Sequence, residues 1–348
     1  MPFNKHSMNV RKLVGLLLFI ACLHSHTLAQ DKAITANEII QRAIDSSGGD
    51  LKLASLHSVE FITKIVISEN EVLSFAIKKK DFNKYYISTL STSHVNSTTI
   101  YNDGRAVIIK NDSAKSITDP LTIEDLRLQC FISIDYGYKK LGYKFTRIDD
   151  QKFQNFDCYS VLVESPLGNT TANYYDKKTG RLIMIVYPNG LKSVFIDFYK
   201  SSDLTAPSKV LMTDTKNNVT QSSLQKLIYD NNLDPYWFTL PKEGKYQAPE
   251  KFKTGVFKYI NSNDGAGFTR EKDRQIETSG SQRTEYKVKW ESNNDYLLFR
   301  LKNPEKPATD ENIEYLKVKI VTWDNTKYYC QYITSDNMGG TCAFEKVK

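Results

Sequence analysis

The sequence predicts a mainly β protein with a few helices, an α+β chain of two units, and three observations carry that prediction. From Asn173 to Tyr199, runs rich in Tyr, Ile, Val and Phe are cut by Asp176-Lys177-Lys178-Thr179-Gly180 and by Pro188-Asn189-Gly190, as in antiparallel strands joined by tight turns. A strong helix signal stands near Thr35. After Pro241 the chain becomes a succession of short alternating strands.

Taken in order, Lys5, Arg11 and Lys12 precede the apolar run Leu13 to Leu23 and then Thr27-Leu28-Ala29. That is the layout of a secretory signal peptide cleaved after Ala29, with a run too short to span a bilayer. A lipid anchor at Cys22, behind Phe19-Ile20-Ala21, is the alternative. Past residue 29 nothing approaches the roughly 20 apolar residues of a membrane helix, so the mature chain is expected to be peripheral to a membrane at most.

Without the leader the formal charge falls from +7 to about +4, because Lys5, Arg11 and Lys12 leave with it. The remaining charges are interspersed, and Lys78-Lys79-Lys80 reads as a solvated turn; no nucleic-acid partner is expected. Four cysteines remain, Cys130, Cys158, Cys330 and Cys342, which permit two disulfides, one per unit. A hairpin of Tyr328 to Ile333 with Thr341 to Glu345, centred at residue 336, sets Cys330 opposite Cys342, within disulfide range. The alternative is two small apolar residues packed in a strand. No CxxC occurs and only His57 and His94 follow the leader, so no metal is expected.

Thr35-Ala36-Asn37-Glu38 is a capping box before Ile39, Ile40, Ala43 and Ile44, with Ile34 as a hydrophobic staple. It predicts a helix from Ala36 to about Ser46, stopped by Gly48-Gly49, with a short helical turn through Leu51, Leu53 and Leu56 after it. From Ser58 the period is two: Val59, Phe61, Ile65 and Ile67 fall on one face, Glu60 and Lys64 on the other. Strands at Val72 to Lys80 and Lys84 to Leu90 continue the meander, and Asn102-Asp103-Gly104 marks a hairpin. Asp119-Pro120 starts a helix carrying Ile123, Leu126, Leu128, Phe131 and Ile132 up to Gly137. Strands resume at Tyr143 to Ile148 and Asp157 to Glu164, with Asp149-Asp150 in a turn. They run on through Tyr199, and Asn231 to Pro241 closes this sheet. The polar segment 243–251 is read as the linker between a unit at 30–242 and a small all-β unit at 252–348, a barrel or curved sheet.

These residues together resemble the LolA-like superfamily of periplasmic lipoprotein carriers and related envelope proteins. The resemblance covers roughly residues 33 to 242. It rests on the Ala36-Asn37-Glu38-Ile39-Ile40 helix, the Gly-Gly break, the meander, the Tyr174 to Gly180 hairpin, Asp197-Phe198-Tyr199-Lys200 before Ala206-Pro207, and Leu233-Asp234 before Phe238 and Pro241. It implies a half-open antiparallel barrel with a helical lid, an apolar inner surface that holds acyl chains, and a periplasmic place. No functional residue carries over, and the C-terminal unit departs from single-domain carriers.

The expected ligand-lining residues are Phe61, Ile65, Phe75, Ile77, Tyr86, Ile183, Ile185, Phe195 and Phe198; at each of them core packing is the competing role. GxSxG, HExxH, Walker A and GxGxxG motifs are all missing from the sequence, so neither an enzyme nor a cofactor is expected. The function expected is non-enzymatic binding of a lipid or lipoprotein acyl chain in the envelope. The alternative is an envelope interaction or sensor module that meets another envelope protein through tyrosine-rich strands.

Overall fold

The computed structural model describes residues 33–68, 71–91, 96–201, 203–216, 218–229, 232–260, 265–301 and 315–348. The leader with Cys22, His94, Asn231 and the Asn263-Asp264 turn lie outside the described residues, as does the side chain of Ile67.

Helix α1 (Ala36–Ser47) starts where its cap dictates. The Thr35 hydroxyl accepts from the Glu38 amide at 3.2 Å, and the Glu38 carboxylate accepts from the Thr35 amide at 2.7 Å. Gly48 ends it at φ +133°, where a Cβ would also meet Leu204 at 2.9 Å. Helix α2 (Gly49–Ser55) follows directly.

The first unit is one curved, open sheet of 14 antiparallel strands. In chain order they are β1 (Ser58–Ser68), β2 (Glu71–Lys80), β3 (Lys84–Ser91), β4 (Ser97–Asn102), β5 (Arg105–Lys110), β6 (Ser113–Ile117), β7 (Lys144–Phe153), β8 (Phe156–Glu164), β9 (Thr170–Asp176), β10 (Leu182–Val186), β11 (Lys192–Ser201), β12 (Leu204–Thr213), β13 (Val219–Tyr229) and β14 (Gly244–Lys245). Two meanders join where β13 returns to β1, pairing Val59 with Tyr229 and Phe61 with Leu227. Helices α3 (Pro120–Gln129) and α4 (Ile134–Leu141) lie with α1 and α2 on one face.

Strands β15 (Gly255–Tyr259), β16 (Gly267–Arg270), β17 (Arg274–Ser279), β18 (Gln282–Trp290), β19 (Asp295–Arg300), β20 (Tyr315–Trp323), β21 (Lys327–Thr334) and β22 (Gly339–Lys346) close into an eight-stranded antiparallel barrel. Residues 243–251 are packed on their way there. Gly244–Lys245 pairs with β6, Tyr246 donates to the Val321 carbonyl at 3.1 Å, and Ala248 is buried.

Alternation along β1 to β3 produces two apolar faces, and both are covered. Residues in register with Phe61 face the helices: Ile77, Ile87, and Lys79, whose ammonium donates to the Phe131 carbonyl at 2.6 Å. Residues in register with Ile62 face the barrel, and Ile62, Ala76, Tyr86, Trp237 and Phe238 pack there with Val321 and Tyr329. Lys78 is only 1% exposed at this junction. It donates to Glu60 at 2.6 Å and to the Thr341 hydroxyl of β22 at 3.0 Å, with the Trp237 ring 4.3 Å away. Lys78-Lys79-Lys80 is therefore no solvated turn; its three ammonium groups reach Glu60, Phe131 and, at 2.7 Å, the Leu233 carbonyl.

Three other expectations change. The helix expected from Pro120 to Gly137 is two helices, because Ser133 caps a second one through the Tyr136 amide. Gly137 lies inside α4 as a close-approach site, where a Cβ would stand 2.9 Å from Leu128 and 3.0 Å from Phe131. Gly137→Val should lower stability by about 1–3 kcal/mol through overpacking, read as a shift of the urea midpoint. Asp149 and Asp150 lie within β7, where Asp150 pairs with Arg147 at 3.0 Å and Lys177 at 2.8 Å. The segment expected to close the sheet before Pro241 is a 3-10 turn, Pro235–Phe238, capped by Asp234.

Candidate functional site

The helices do not lie flush on the sheet. Between them and β10 to β13 runs a cleft of about 290 Å³, at the small end of the range for ligand cavities. Leu53, Leu128, Phe131, Ile132 and Ile134 form its roof, from α2 and the α3–α4 corner. Leu182, Ile185, Phe195, Phe198, Ala206 and Tyr229 form its floor, from β10 to β13. The floor is apolar because Ile185, Ser193 and Phe195 share the helix-side face by register, through the Ile185–Ser193 and Phe195–Val210 pairs. The roof breaks at α3–α4, where Ser133 caps a new helix and Ile132 and Ile134 on either side of it line the gap.

Besides the phenols of Tyr187 and Tyr229, three ionisable groups among the described residues line the cleft: Lys79, Arg181 and Asp135. The Arg181 guanidinium lies 4.9 Å over the Phe198 ring. Burial pushes Lys79 down to about 8. Asp135, 3% exposed in the first turn of α4, accepts from the Tyr175 hydroxyl at 2.7 Å, and burial pushes its carboxyl up to about 7. A carboxyl raised in the folded state contributes stability that is full below its ordinary value near 4 and is lost as pH rises through 7. Asp135→Asn keeps an acceptor for Tyr175 and cannot ionise. Its stability should fall less between pH 4 and 8 than that of the unaltered protein, the difference growing to as much as about 4 kcal/mol over that window, read from melting curves across pH.

Of the nine expected lining residues, Ile185, Phe195 and Phe198 come together in this cleft. Phe61, Ile65, Phe75 and Ile77 share the helix-side face by register, on β1 and β2, but are not among the residues that line the cleft. Tyr86 is on the opposite face, edge-on to Trp237 at 5.3 Å, because β3 presents Tyr85 to the helices and Tyr86 to the barrel. Ile183 is the extra residue of a bulge between Leu182 and Met184 and is 3% exposed. The roof residues at the α3–α4 corner were missed. Their signal was Ser133, a cap residue inside what otherwise reads as one helix.

The cysteines divide. Cys130 packs with Tyr85 and Tyr101 on the helix side and Cys158, in register with Asp176, lies on the other face, so the expected Cys130–Cys158 pair is not made. Cys330 stands directly opposite Cys342, their Sγ atoms 2.7 Å apart, and both are free thiols. Among the described residues no group of three or more His, Cys, Asp or Glu side chains could hold a metal ion, and no helix is long and apolar enough to cross a membrane.

Solved structures similar to this chain include one from the superfamily that the sequence resembles. It is a LolA superfamily protein from Nitrosomonas europaea, 12% identical, covering 60% of this chain and 98% of that one, with a TM-score of 0.43. A DUF1329 family protein from Desulfovibrio piger, also 12% identical, covers 59% of this chain and 97% of that one, with a TM-score of 0.41. MucB in the MucA/MucB complex of Pseudomonas aeruginosa, 9% identical, covers 89% of this chain and 92% of that one, with a TM-score of 0.24. No family model matches the chain, and no curated protein matches it. With TM-scores below 0.5, none of these likenesses says what this chain binds.

Proposed function

We propose that this chain is a non-catalytic binding protein of the bacterial envelope, exported to the periplasm, whose helix-roofed cleft takes a lipid or lipoprotein acyl chain. The observation that carries the reading is the cleft itself: apolar side chains above and below, in a volume suited to part of a single chain. Burying about eight to ten methylenes at about 0.8 kcal/mol each favours binding by about 6–8 kcal/mol before the costs of association, which makes a micromolar dissociation constant the tightest that the acyl chain alone can supply. Lys79 and Arg181 at the same cleft favour an amphiphile whose head is anionic.

The test is titration of the chain from residue 30 onward with a fluorescent fatty acid. Saturable uptake, displaced by unlabelled myristate, is the expected result. Fluorescence that stays at the level of dye in buffer over the whole titration, in a folded preparation freed of lipid, would defeat the reading.

A further inference from the structure

The barrel has an interior of its own. Phe257, Phe268, Arg270, Tyr296 and Tyr328 fill one end, where Arg270, 2% exposed, donates to the Tyr296 hydroxyl at 2.7 Å, to the Tyr328 hydroxyl at 3.2 Å and to the Phe252 carbonyl at 3.3 Å. Phe252 belongs to the 3-10 turn Glu250–Phe252 that seals this end. Above that floor a cup of about 660 Å³ lies toward the end that carries Thr278, Ser279 and Gln282. An eight-stranded barrel is wide enough to hold one small ligand.

The chemistry of the cup is one-sided. Among the described residues that line it, Glu277 is the only charged side chain. The rest of its wall combines aromatic and aliphatic side chains, Tyr259, Tyr296, Tyr332 and Phe344 around Leu298 and Val318, with uncharged polar ones such as Gln282, Thr284 and Thr341. Gln275 fixes the carboxylate's role. The Arg270 Nε–H donates to the Gln275 Oε1 at 2.6 Å, so the Gln275 amide turns its NH₂ to the Glu277 Oε1 at 2.7 Å. Glu277 is thus held as an acceptor facing the cup, with the nearest cation locked behind Gln275. Burial raises its pKa, which Gln275 and Arg270 only partly offset.

We propose that this cup binds a small organic cation, an ammonium ligand of about amino-acid size that sets its charge on Glu277 among the tyrosine rings. A carboxylate supplies the ion pair and the ring faces supply cation–π attraction, the combination that aromatic sites use for ammonium groups. The assignment is independent of the acyl cleft, which lies on the other face of the sheet from the barrel.

The experiment is isothermal titration of the full mature chain with phenethylamine, phenethyl alcohol and 3-phenylpropionate, which present the same ring with a cation, a neutral hydroxyl and an anion. The amine should bind with a dissociation constant near or below about 1 mM, at least about tenfold tighter than the alcohol, and the propionate should not bind. Glu277→Gln should weaken the amine about tenfold or more and leave the alcohol unchanged. Thr284→Trp, placed beside Glu277 across the β17–β18 ladder, should crowd the space in front of the carboxylate and weaken the amine at least about tenfold with the barrel still folded, and it serves where Glu277→Gln does not fold. Equal binding of amine and alcohol, or amine binding undiminished in Thr284→Trp, would overturn the proposal, as would failure of the amine to bind the unaltered chain.

Discussion

Lys78→Ala should lower the stability of the folded chain by about 3–5 kcal/mol, the largest effect expected of any single substitution here. Glu60 and Lys78 are 5% and 1% exposed, and their contact at 2.6 Å sits between the sheet and β22 of the barrel. Burial works against the Glu60 carboxylate, yet Lys78 at contact distance and the Thr341 hydroxyl hold it below the usual carboxylate range. Removing Lys78 takes the contacting cation from that buried carboxylate, which keeps the Thr341 hydroxyl and the more distant charge of Lys226, and it also strips the ammonium from the Trp237 ring. Glu60→Gln with Lys78→Met, which removes both charges and keeps most of the volume, should recover much of the loss, since a buried pair is often replaceable by apolar groups. Chemical denaturation of the unaltered chain and the two variants measures this. Hydrogen exchange at Gln331 and Thr341 should quicken in Lys78→Ala, because both residues contact the sheet, Gln331 through the Ser74 carbonyl at 3.0 Å.

The pair also sets a pH dependence opposite to that of Asp135. A carboxylate whose folded value is depressed contributes stability that is present above its ordinary value near 4.5 and is lost as pH falls through the depressed value. Acid should therefore loosen the barrel from the sheet while Asp135 grows more favourable in the helix-side unit. The two contributions separate by exchange at β22 and at α4.

Ser193→Trp should lower fatty-acid binding at least about tenfold with little loss of stability, the largest functional effect expected. Ser193 lies on the cleft floor between Ile185 and Phe195 and is half-buried, so an indole there occupies the space of the acyl chain without opening a cavity. Its hydroxyl approaches the Tyr187 hydroxyl at 3.5 Å, a weak bond whose loss costs little. Titration with the same fluorescent fatty acid, beside a melting curve, tells blockage from unfolding. Undiminished uptake in a folded Ser193→Trp protein would place the acyl chain elsewhere.

Local signals read well in this sequence. Thr35 and Glu38 fix the start of α1, Asp119-Pro120 that of α3, and Asp103 and Gly104 at φ +47° and +83° turn the β4–β5 hairpin as Asn-Asp-Gly implies. The offset of Cys330 and Cys342 about residue 336 placed them in register because a hairpin centre determines every opposed pair. What failed to read was long-range or two-sided. Strands β12 and β13 carry Pro207, Lys209, Ser222 and Ser223 in place of clean alternation, and the pairing of β13 to β1 spans most of the unit. Alternation separates Tyr85 from Tyr86 but does not say which face meets helices and which meets the barrel, so Tyr86 was assigned to the wrong side. Lys78 was hidden for the same reason: a lysine in a run of three looks solvated until a second unit covers it.

The measurement that bears most directly on the acyl-binding account is native mass spectrometry of the mature chain, purified gently from a bacterial periplasm and then extracted with organic solvent. The account predicts an added mass in one-to-one ratio that leaves with the solvent and is identified as a lipid, and that is missing from Ser193→Trp. An apo mass alone, from protein that after delipidation also refuses fluorescent fatty acid, would contradict it and turn attention to the tyrosine-rich strands as a protein-binding face.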